Sequence, residues 1–341
     1  MHMADALLSP AVGGCMWLVS AGTIVYCSRR VRRELDERRV PLMGVLGAFL
    51  FAAQMINFSI PATGSSGHLG GGLLLTILLG ADAAFLTMAS VLVVQALFFA
   101  DGGLLALGCN LFNMGFIPAF IVYPFIYRKL EGDDPNRKRM VAATILSALA
   151  GLQLGPFAVV LETWLSGISA LPFSAFLLLM QPIHLAIGVV EGVVTIALLR
   201  FVHQARPEIL ARPRGDAPGN ALLVAFLAAA IFTGGALPWF ASRHPDGLEW
   251  AIAHATGEEK LKDSKRGIHQ TLAALQTRTS FMPEYAFRSP PKRVSDNRQS
   301  AGPEEKSAGT GTAGVIGVLL TLGAILGSGV ILKKLTHPAL R

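Results

Sequence analysis

Charge is scarce in this sequence. Only 15% of its 341 residues are charged and 52% are apolar, whereas a water-soluble domain usually carries about 25% charged residues. The apolar residues stand in long blocks, as a membrane-spanning helix of about 20 residues requires. The alternating segments of roughly ten residues that build a transmembrane β-barrel are missing. The composition therefore predicts an all-α polytopic membrane protein.

Several catalytic motifs are also missing. No Gly is followed by Lys, so the phosphate-binding loop G-x-x-x-x-G-K-[ST] is excluded. There is no H-E-x-x-H, the zinc-protease motif. The three cysteines, Cys15, Cys27 and Cys109, lie in or beside apolar segments without a C-x-x-C spacing, which is typical of free cysteines packed among helices. We expect a protein that is not an enzyme.

Lysine and arginine are distributed unevenly. Eighteen of the 29 lie in four clusters, whereas the connections near 57–70, 101–103 and 162–174 have none. Because cytoplasmic loops of membrane proteins are enriched in Lys and Arg, the N-terminus is predicted outside the cell membrane and the C-terminus in the cytoplasm. The net charge of +7 then reflects topology, so we expect no nucleic-acid partner. The clusters span 29–39, 128–139, 200–214 and 333–341.

Hydropathy predicts nine spans in two modules. Residues 1–203 form a seven-span unit, 204–219 a cytoplasmic linker, and 220–341 a two-span module. The extracytoplasmic loop of that module, 241–312, is polar, and its end, SDNRQSAGPEEKSAGTGT, is expected to be flexible. The third span is short for a full crossing. The predicted spans are 11–28, 42–57, 71–81, 83–100, 104–127, 140–161, 174–200, 220–240 and 313–332.

The first two residues offer three nitrogens to a metal. They are the Met1 amine, the deprotonated His2 amide and His2 Nδ1, which close fused five- and six-membered chelate rings in one plane. A planar nitrogen set suits Ni(II) or Cu(II), whereas Zn(II) prefers a tetrahedron. The alternative is a chance histidine after the initiator methionine.

A second histidine is predicted on the same outer side. His68 lies in ATGSSGHLGGG, where glycines allow close backbone approach. Ser65 and Ser66 are placed to hydrogen-bond the far side of a ligand. His68 could supply the fourth nitrogen of the metal site. The alternative is a solvated histidine in a flexible loop.

Polar residues also lie inside the predicted spans. They include Asn110 and Asn113 on the fifth span, and His184 and Glu191 on the seventh. Such residues usually face the bundle interior or a transport path. Interhelical hydrogen bonds that only hold the bundle together are the alternative.

Five segments, in order, resemble the M component of nickel and cobalt energy-coupling-factor transporters. The resemblance covers about residues 1–203, and HPDGLEWAIA, after the eighth span, resembles an N component fused to it. The usual start has Ile-Pro-Asp-Gly after the histidine; here Asp5 matches, but Ala6 replaces glycine and would be strained at a positive φ. The segments are MHMADALLSP, VPLMGVLGAFLFAAQMINFSIP, TGSSGHLGGGLL, ALFFADGGLLALGCNLFNMGF and PIHLAIGVVEG.

The resemblance implies a substrate-specific component that captures Ni(II) outside the cell. Its ligands would be the Met1 amine, His2 through two nitrogens and the His68 ring. A coupling transmembrane subunit (the T component) and separate ATPase subunits would drive uptake, with lipid around the chain and no permanent cofactor. Co(II) uptake that feeds cobalamin biosynthesis is the alternative. Residues expected behind the ligands or along a path are Asp5, Asn57, Ser65, Ser66, Asn110, Asn113, His184 and Glu191.

Two functions of other classes remain open. A membrane-embedded metalloenzyme built on His184 and Glu191 would need two or three ligands and an activated water, and only one histidine lies within the predicted spans. A structural or sensory membrane protein would have its Met-His start by chance.

Overall fold

A computed structural model of the chain describes residues 2–33, 40–132, 136–205, 220–257, 261, 267–288 and 303–336, without the side chains of 303–308 and 332–336. Met1, and with it the predicted amine ligand, lies outside the described residues. So do most of the predicted linker and parts of the basic clusters and of the 241–312 loop.

The described residues are mainly helical. A 3-10 turn, Asp5–Leu7, precedes α1, and two further 3-10 turns are Leu237–Phe240 and Pro283–Tyr285. The strands β1 (Phe58–Ile60) and β2 (Ser65–Gly67) pair antiparallel. The helices are α1 (Pro10–Arg33), α2 (Val40–Gln54), α3 (Gly72–Leu79), α4 (Ala81–Phe99), α5 (Leu107–Glu131), α6 (Arg137–Ser166), α7 (Phe173–Ala205), α8 (Asn220–Gly235), α9 (Gly247–Thr256), α10 (Gly267–Thr279) and α11 (Pro303–Thr336).

Six described helices are long and apolar enough to cross a membrane: α1, α4, α5, α6, α7 and α11. The helices α2 and α8 are apolar but have 15 and 16 residues. The eight residues of α3 rise only about 12 Å, against a hydrocarbon core of about 30 Å. A multi-pass helical membrane protein is therefore supported, whereas the counts of seven and nine spans stay predictions.

The prediction that the end of the polar loop is flexible is wrong for 303–312, because α11 begins at Pro303. The glycines of α11 pack closely on α8. A Cβ on Gly311 would lie 2.8 Å from the carbonyl oxygen of Gly235, and the backbones of Gly314 and Gly234 also touch. Small residues of this kind let membrane helices approach closely. This packing fixes α11 on α8 at Gly311 and Gly314.

Two short helices form the centre of the bundle. Every residue of α2 from Leu42 to Gln54 is buried, as is every residue of α3. A helix that is apolar all round is expected in such a place. Helix α2 packs against α4, α8 and α11. The C-terminal helices therefore share one core with the N-terminal ones.

Candidate metal site

The rings of His2 and His68 stack on each other. Their centroids are 5.2 Å apart and their planes are inclined by 23°. The side chain of His2 is 6% exposed, and His68 is 7% exposed. The fold thus brings together two predicted ligands that are far apart along the chain, although their role as ligands stays a prediction.

The chain start is tied to α5 and to the loop that precedes it. The backbone N–H of Met3 donates to Asn110 Oδ1 at 2.8 Å, and the carbonyl oxygen of Met3 accepts from Asn110 Nδ2 at 3.3 Å. Gly103 N–H donates to the same carbonyl at 2.9 Å. Asn110 acts as a backbone mimic that pairs with Met3 on both sides. These bonds place His2, the preceding described residue, beside the loop.

Asp5 anchors the next turn of the chain. Its Oδ1 accepts from the backbone N–H of Ala106 at 2.9 Å, and it begins the 3-10 turn that contains Ala6. Ala6 is not among the residues with positive φ. Alanine at this position is therefore unstrained, and the departure from the usual family start leaves the entry turn intact.

The His68 loop is held by the polar segment after α8. The Ser66 backbone N–H donates to the carbonyl oxygen of Pro245 at 2.8 Å, and its hydroxyl donates to that of His244 at 2.8 Å. The Ser65 hydroxyl donates to the carbonyl oxygen of Ser66 at 3.2 Å. Both hydroxyls thus donate to backbone carbonyls, rather than to the far side of His68. His68 Nδ1 lies 3.1 Å from the carbonyl oxygen of Leu69, which leaves Nε2 as the nitrogen that could bind a metal.

Glu191 reaches the glycines that follow His68. Its Oε2 accepts from Gly70 N–H at 2.7 Å and its Oε1 from Gly71 N–H at 3.1 Å. Gly71 has a φ of 73°, and a Cβ there would lie 2.0 Å from Leu50 Cδ1. Only glycine fits this turn. The carboxylate of α7 therefore holds the end of the His68 loop.

A glutamine pair connects this loop to His2. Gln54 Nε2 donates to the carbonyl oxygen of Gly70 at 2.8 Å, and Gln95 Nε2 donates to Gln54 Oε1 at 3.0 Å. Gln95 Oε1 lies 3.1 Å from His2 Nε2. The other ring nitrogen, His2 Nδ1, lies 3.4 Å from Asp101 Oδ1. Both nitrogens of His2 thus face oxygen atoms.

The N-terminus of α9 lies over the His68 loop. Asp246 caps this helix by accepting from Glu249 N–H at 2.8 Å. Asp246, His68 and His184 line one small cavity of about 10 Å³, which barely holds one water molecule. Burial would raise the pKa of Asp246, yet that pKa lies below its ordinary value because the positively charged terminal amine and the Glu249 N–H favour the carboxylate.

The other predicted residues have different partners. The backbone of Gly247 packs on the ring of His184. A Cβ added to Gly247 would lie 3.0 Å from Cε1 of that ring. His184 Nδ1 lies 2.8 Å from the carbonyl oxygen of Met180, and its buried Nε2 has no hydrogen-bond partner within the described chain. Asn113 donates to Glu162 at 2.8 Å. The carbonyl oxygen of Asn57 accepts from Ser242 N–H at 2.7 Å.

The protonation states suit metal binding. Burial lowers the pKa of His2 and lowers that of His68 well below its usual range. A metal ligand must be a neutral imidazole, and burial favours that form at both rings. Over the described ranges, no three His, Cys, Asp or Glu side chains are grouped to hold a metal. The two rings alone are therefore fewer ligands than the predicted site requires.

Sequence reasoning gave no role to Gln54 or Asp246, and it identified Gln95 only as one of the polar residues inside the spans. Two glutamines in apolar helices are a signal, because intramembrane polar groups seek partners, but the sequence does not show that they face each other. Asp246 was visible only within the resemblance of HPDGLEWAIA.

Comparisons with known proteins agree with this organisation. Residues 2–209 match the family model described as "cobalt uptake substrate-specific transmembrane region", and residues 220–334 match the PDGLE domain. A relative from Archaeoglobus fulgidus, provisionally named fused nickel transport protein NikMN, is 35% identical over 68% of this chain and 74% of its own length. Cobalt transport protein CbiM of Sorangium cellulosum is 30% identical over 62% of this chain and 95% of its own.

A solved structure, described as a truncated transition metal transporter, superposes with a TM-score of 0.53 at 29% identity. The match covers 60% of this chain and 99% of that one. The chain therefore belongs to the family of cobalt-uptake substrate-specific transmembrane regions, with a PDGLE domain fused after it as in the NikMN proteins.

Proposed function

We propose that this chain is the substrate-specific membrane component of an ATP-driven energy-coupling-factor importer for Ni(II). It captures the ion outside the cell through the Met1 amine, the His2 amide, His2 Nδ1 and His68. The observation that carries this proposal is the stacking of the His2 and His68 rings at 5.2 Å, since it places the only side-chain ligands of the scheme together.

The scheme also needs movement at His2. The nitrogen that closes the six-membered chelate ring, Nδ1, lies 3.4 Å from Asp101 Oδ1, too close for a metal between them. Metal binding therefore requires the His2 ring to rotate away from Asp101 or the carboxylate to withdraw. A planar set of four nitrogens suits Ni(II).

Co(II) uptake by the same scaffold is the second candidate. It is favoured by the description of the matching family and by the cobalt-named relative, whereas the fused arrangement is shared with nickel-named relatives. Cobalt taken up in this way would feed cobalamin biosynthesis. Competition between the two ions in a transport assay separates the two cargoes.

Coupling to ATP is assigned to other subunits. A T component and separate ATPases would supply the driving force, because this chain has no phosphate-binding loop. We further propose three parts, 1–203, 204–219 and 220–341, and an extracytoplasmic N-terminus with a cytoplasmic C-terminus. The two family matches, which end at 209 and begin at 220, support the division.

Calorimetry with NiCl₂ on the purified full chain tests the site. The native start should bind tightly, and a chain extended by one residue before Met1 should bind far more weakly, because the amine moves and becomes an amide. His2→Ala and His68→Ala should each weaken nickel binding by at least roughly 10–100-fold, the loss typical of changes to residues behind a metal ligand. Equal affinity of the native and extended chains would remove the amine ligand and the proposed chelate with it.

A further inference from the structure

We propose that Gln54 and Gln95 are positioning residues that set the tautomer of His2. They keep the ring proton on Nε2, so that Nδ1 presents its lone pair to the metal. This inference rests on the proposed function, because it concerns the same chelate. It assigns a role to two buried glutamines, 3% and 0% exposed, of which Gln95 contacts His2 at Nε2.

The direction of the hydrogen-bond chain is set at Glu191. A carboxylate only accepts, and Glu191 accepts from the N–H groups of Gly70 and Gly71. The described peptide bonds are all trans, so the carbonyl of Gly70 points away from the N–H of Gly71 in the same plane. The Gly70 carbonyl therefore faces α2, where it meets Gln54.

Each glutamine then has one orientation. The Gly70 carbonyl can only accept, so Gln54 must present its NH₂ group to it, at 2.8 Å. The same NH₂ group also contacts Met88 Sδ at 3.9 Å. This leaves Gln54 Oε1 to accept from Gln95 Nε2 at 3.0 Å. Gln95 in turn has only its carbonyl oxygen left for His2.

The ring of His2 completes the chain. A neutral imidazole has one N–H and one lone pair. Gln95 Oε1 is an acceptor 3.1 Å from Nε2, a shorter contact than the 3.4 Å between Asp101 Oδ1 and Nδ1. We therefore place the hydrogen on Nε2 and the lone pair on Nδ1. The six-membered chelate ring uses that same atom. Partners that fix a ligand's tautomer in this way are common at metal sites.

Asp101 acts on the other nitrogen. Its Oδ1 lies 3.4 Å from His2 Nδ1, and its Oδ2 accepts from the hydroxyl of Tyr285 at 2.5 Å. A carboxylate at this place attracts a proton to Nδ1, so it opposes the tautomer that the glutamines favour until it withdraws to admit the metal ion. The two oxygens beside His2 thus compete for the ring proton, and the glutamine pair is proposed to hold it at Nε2.

The test uses the full chain in detergent, labelled with ¹⁵N-histidine, and NiCl₂ as the probe. In the metal-free wild type at a pH where His2 is neutral, the ¹⁵N shifts should report the Nε2–H tautomer, with His2→Ala identifying the signal. Gln95→Leu removes the acceptor and should weaken nickel binding about 10–100-fold. Gln54→Leu changes a residue that contacts no predicted ligand, and it should also weaken nickel binding. Because Gln95 is then free to turn its amide, the Nδ1–H signal of His2 should appear as well. Gln95→Glu retains an acceptor for His2 and should bind more tightly than Gln95→Leu.

Gln153→Leu is the matched control. Gln153 is another glutamine within the spans, and it donates to the carbonyl oxygen of Gln181 at 3.0 Å, outside the chain described above. The nickel affinity and the His2 tautomer of the Gln153→Leu variant should match those of the wild type. Should Gln95→Leu fail to fold, the tautomer of the wild type decides alone: an Nδ1–H signal for His2 overturns the inference.

The outcomes separate this inference from the proposed function. A wild type that binds no nickel refutes the function. A wild type that binds nickel, together with a Gln95→Leu variant of equal affinity, refutes the tautomer role and leaves the transport function standing.

Discussion

Removing the Glu191 carboxylate should destabilise the fold and weaken the metal site together. The side chain is 2% exposed and satisfies two backbone N–H groups, those of Gly70 and Gly71. A buried donor left without a partner costs about 1–3 kcal/mol. Glu191→Ala should therefore lower the free energy of unfolding by about 2–6 kcal/mol, since two donors lose their acceptor. Glu191→Gln keeps one oxygen and should lose about 1–3 kcal/mol.

The measurement is reversible unfolding of the metal-free chain in mixed micelles, followed by circular dichroism, with nickel calorimetry on the same samples. Val193→Ala is the control, because Val193 lies on the same helix, is 57% exposed and should change stability by less than about 0.5 kcal/mol. Nickel affinity should fall in both Glu191 variants, because the peptide group between Gly70 and Gly71 loses the acceptor of its N–H, which orients its carbonyl toward Gln54. A Glu191→Ala variant as stable as the control would refute the account of this loop.

Three further outcomes are expected. Because burial lowers the pKa of His68, the folded state holds the ring neutral while the unfolded chain protonates it below about pH 6.5. The metal-free protein should therefore lose stability as the pH falls through that value. The His68→Gln variant should lose less stability over the same range, as measured by the unfolding midpoint at each pH. Ser66→Ala removes the donor to His244 and should cost about 0.5–1.5 kcal/mol, with faster amide hydrogen exchange at 246–250; unchanged exchange would contradict the docking contact. His184→Ala should lower stability by about 0.5–3 kcal/mol yet leave nickel affinity near wild type by calorimetry, and a loss equal to that of His68→Ala would make His184 a ligand.

Hydropathy was enough to predict the helical class and most helix positions, because long apolar blocks have few alternatives in a membrane. The resemblance and the predicted sidedness brought His2 and His68 to one place. Contacts such as Gln54 with Gln95 were out of reach, because periodicity identifies a buried face and not the residue opposite it. The early start of α11 was missed for a related reason: its polar, glycine-containing first turns resemble a flexible segment.

The contact between Ser66 and the segment before α9 has a consequence for the timing of biogenesis. Ser66 and Pro245 are 179 residues apart. At about 5–20 residues per second, a ribosome needs roughly 10–40 s to make the chain between them. Every new molecule therefore passes through an interval in which the His68 loop exists but its acceptors at 244–245 do not. The loop gains these contacts only after residues 244–245 have been made, so a nascent chain, or one terminated before them, would present an unfinished site to the metal.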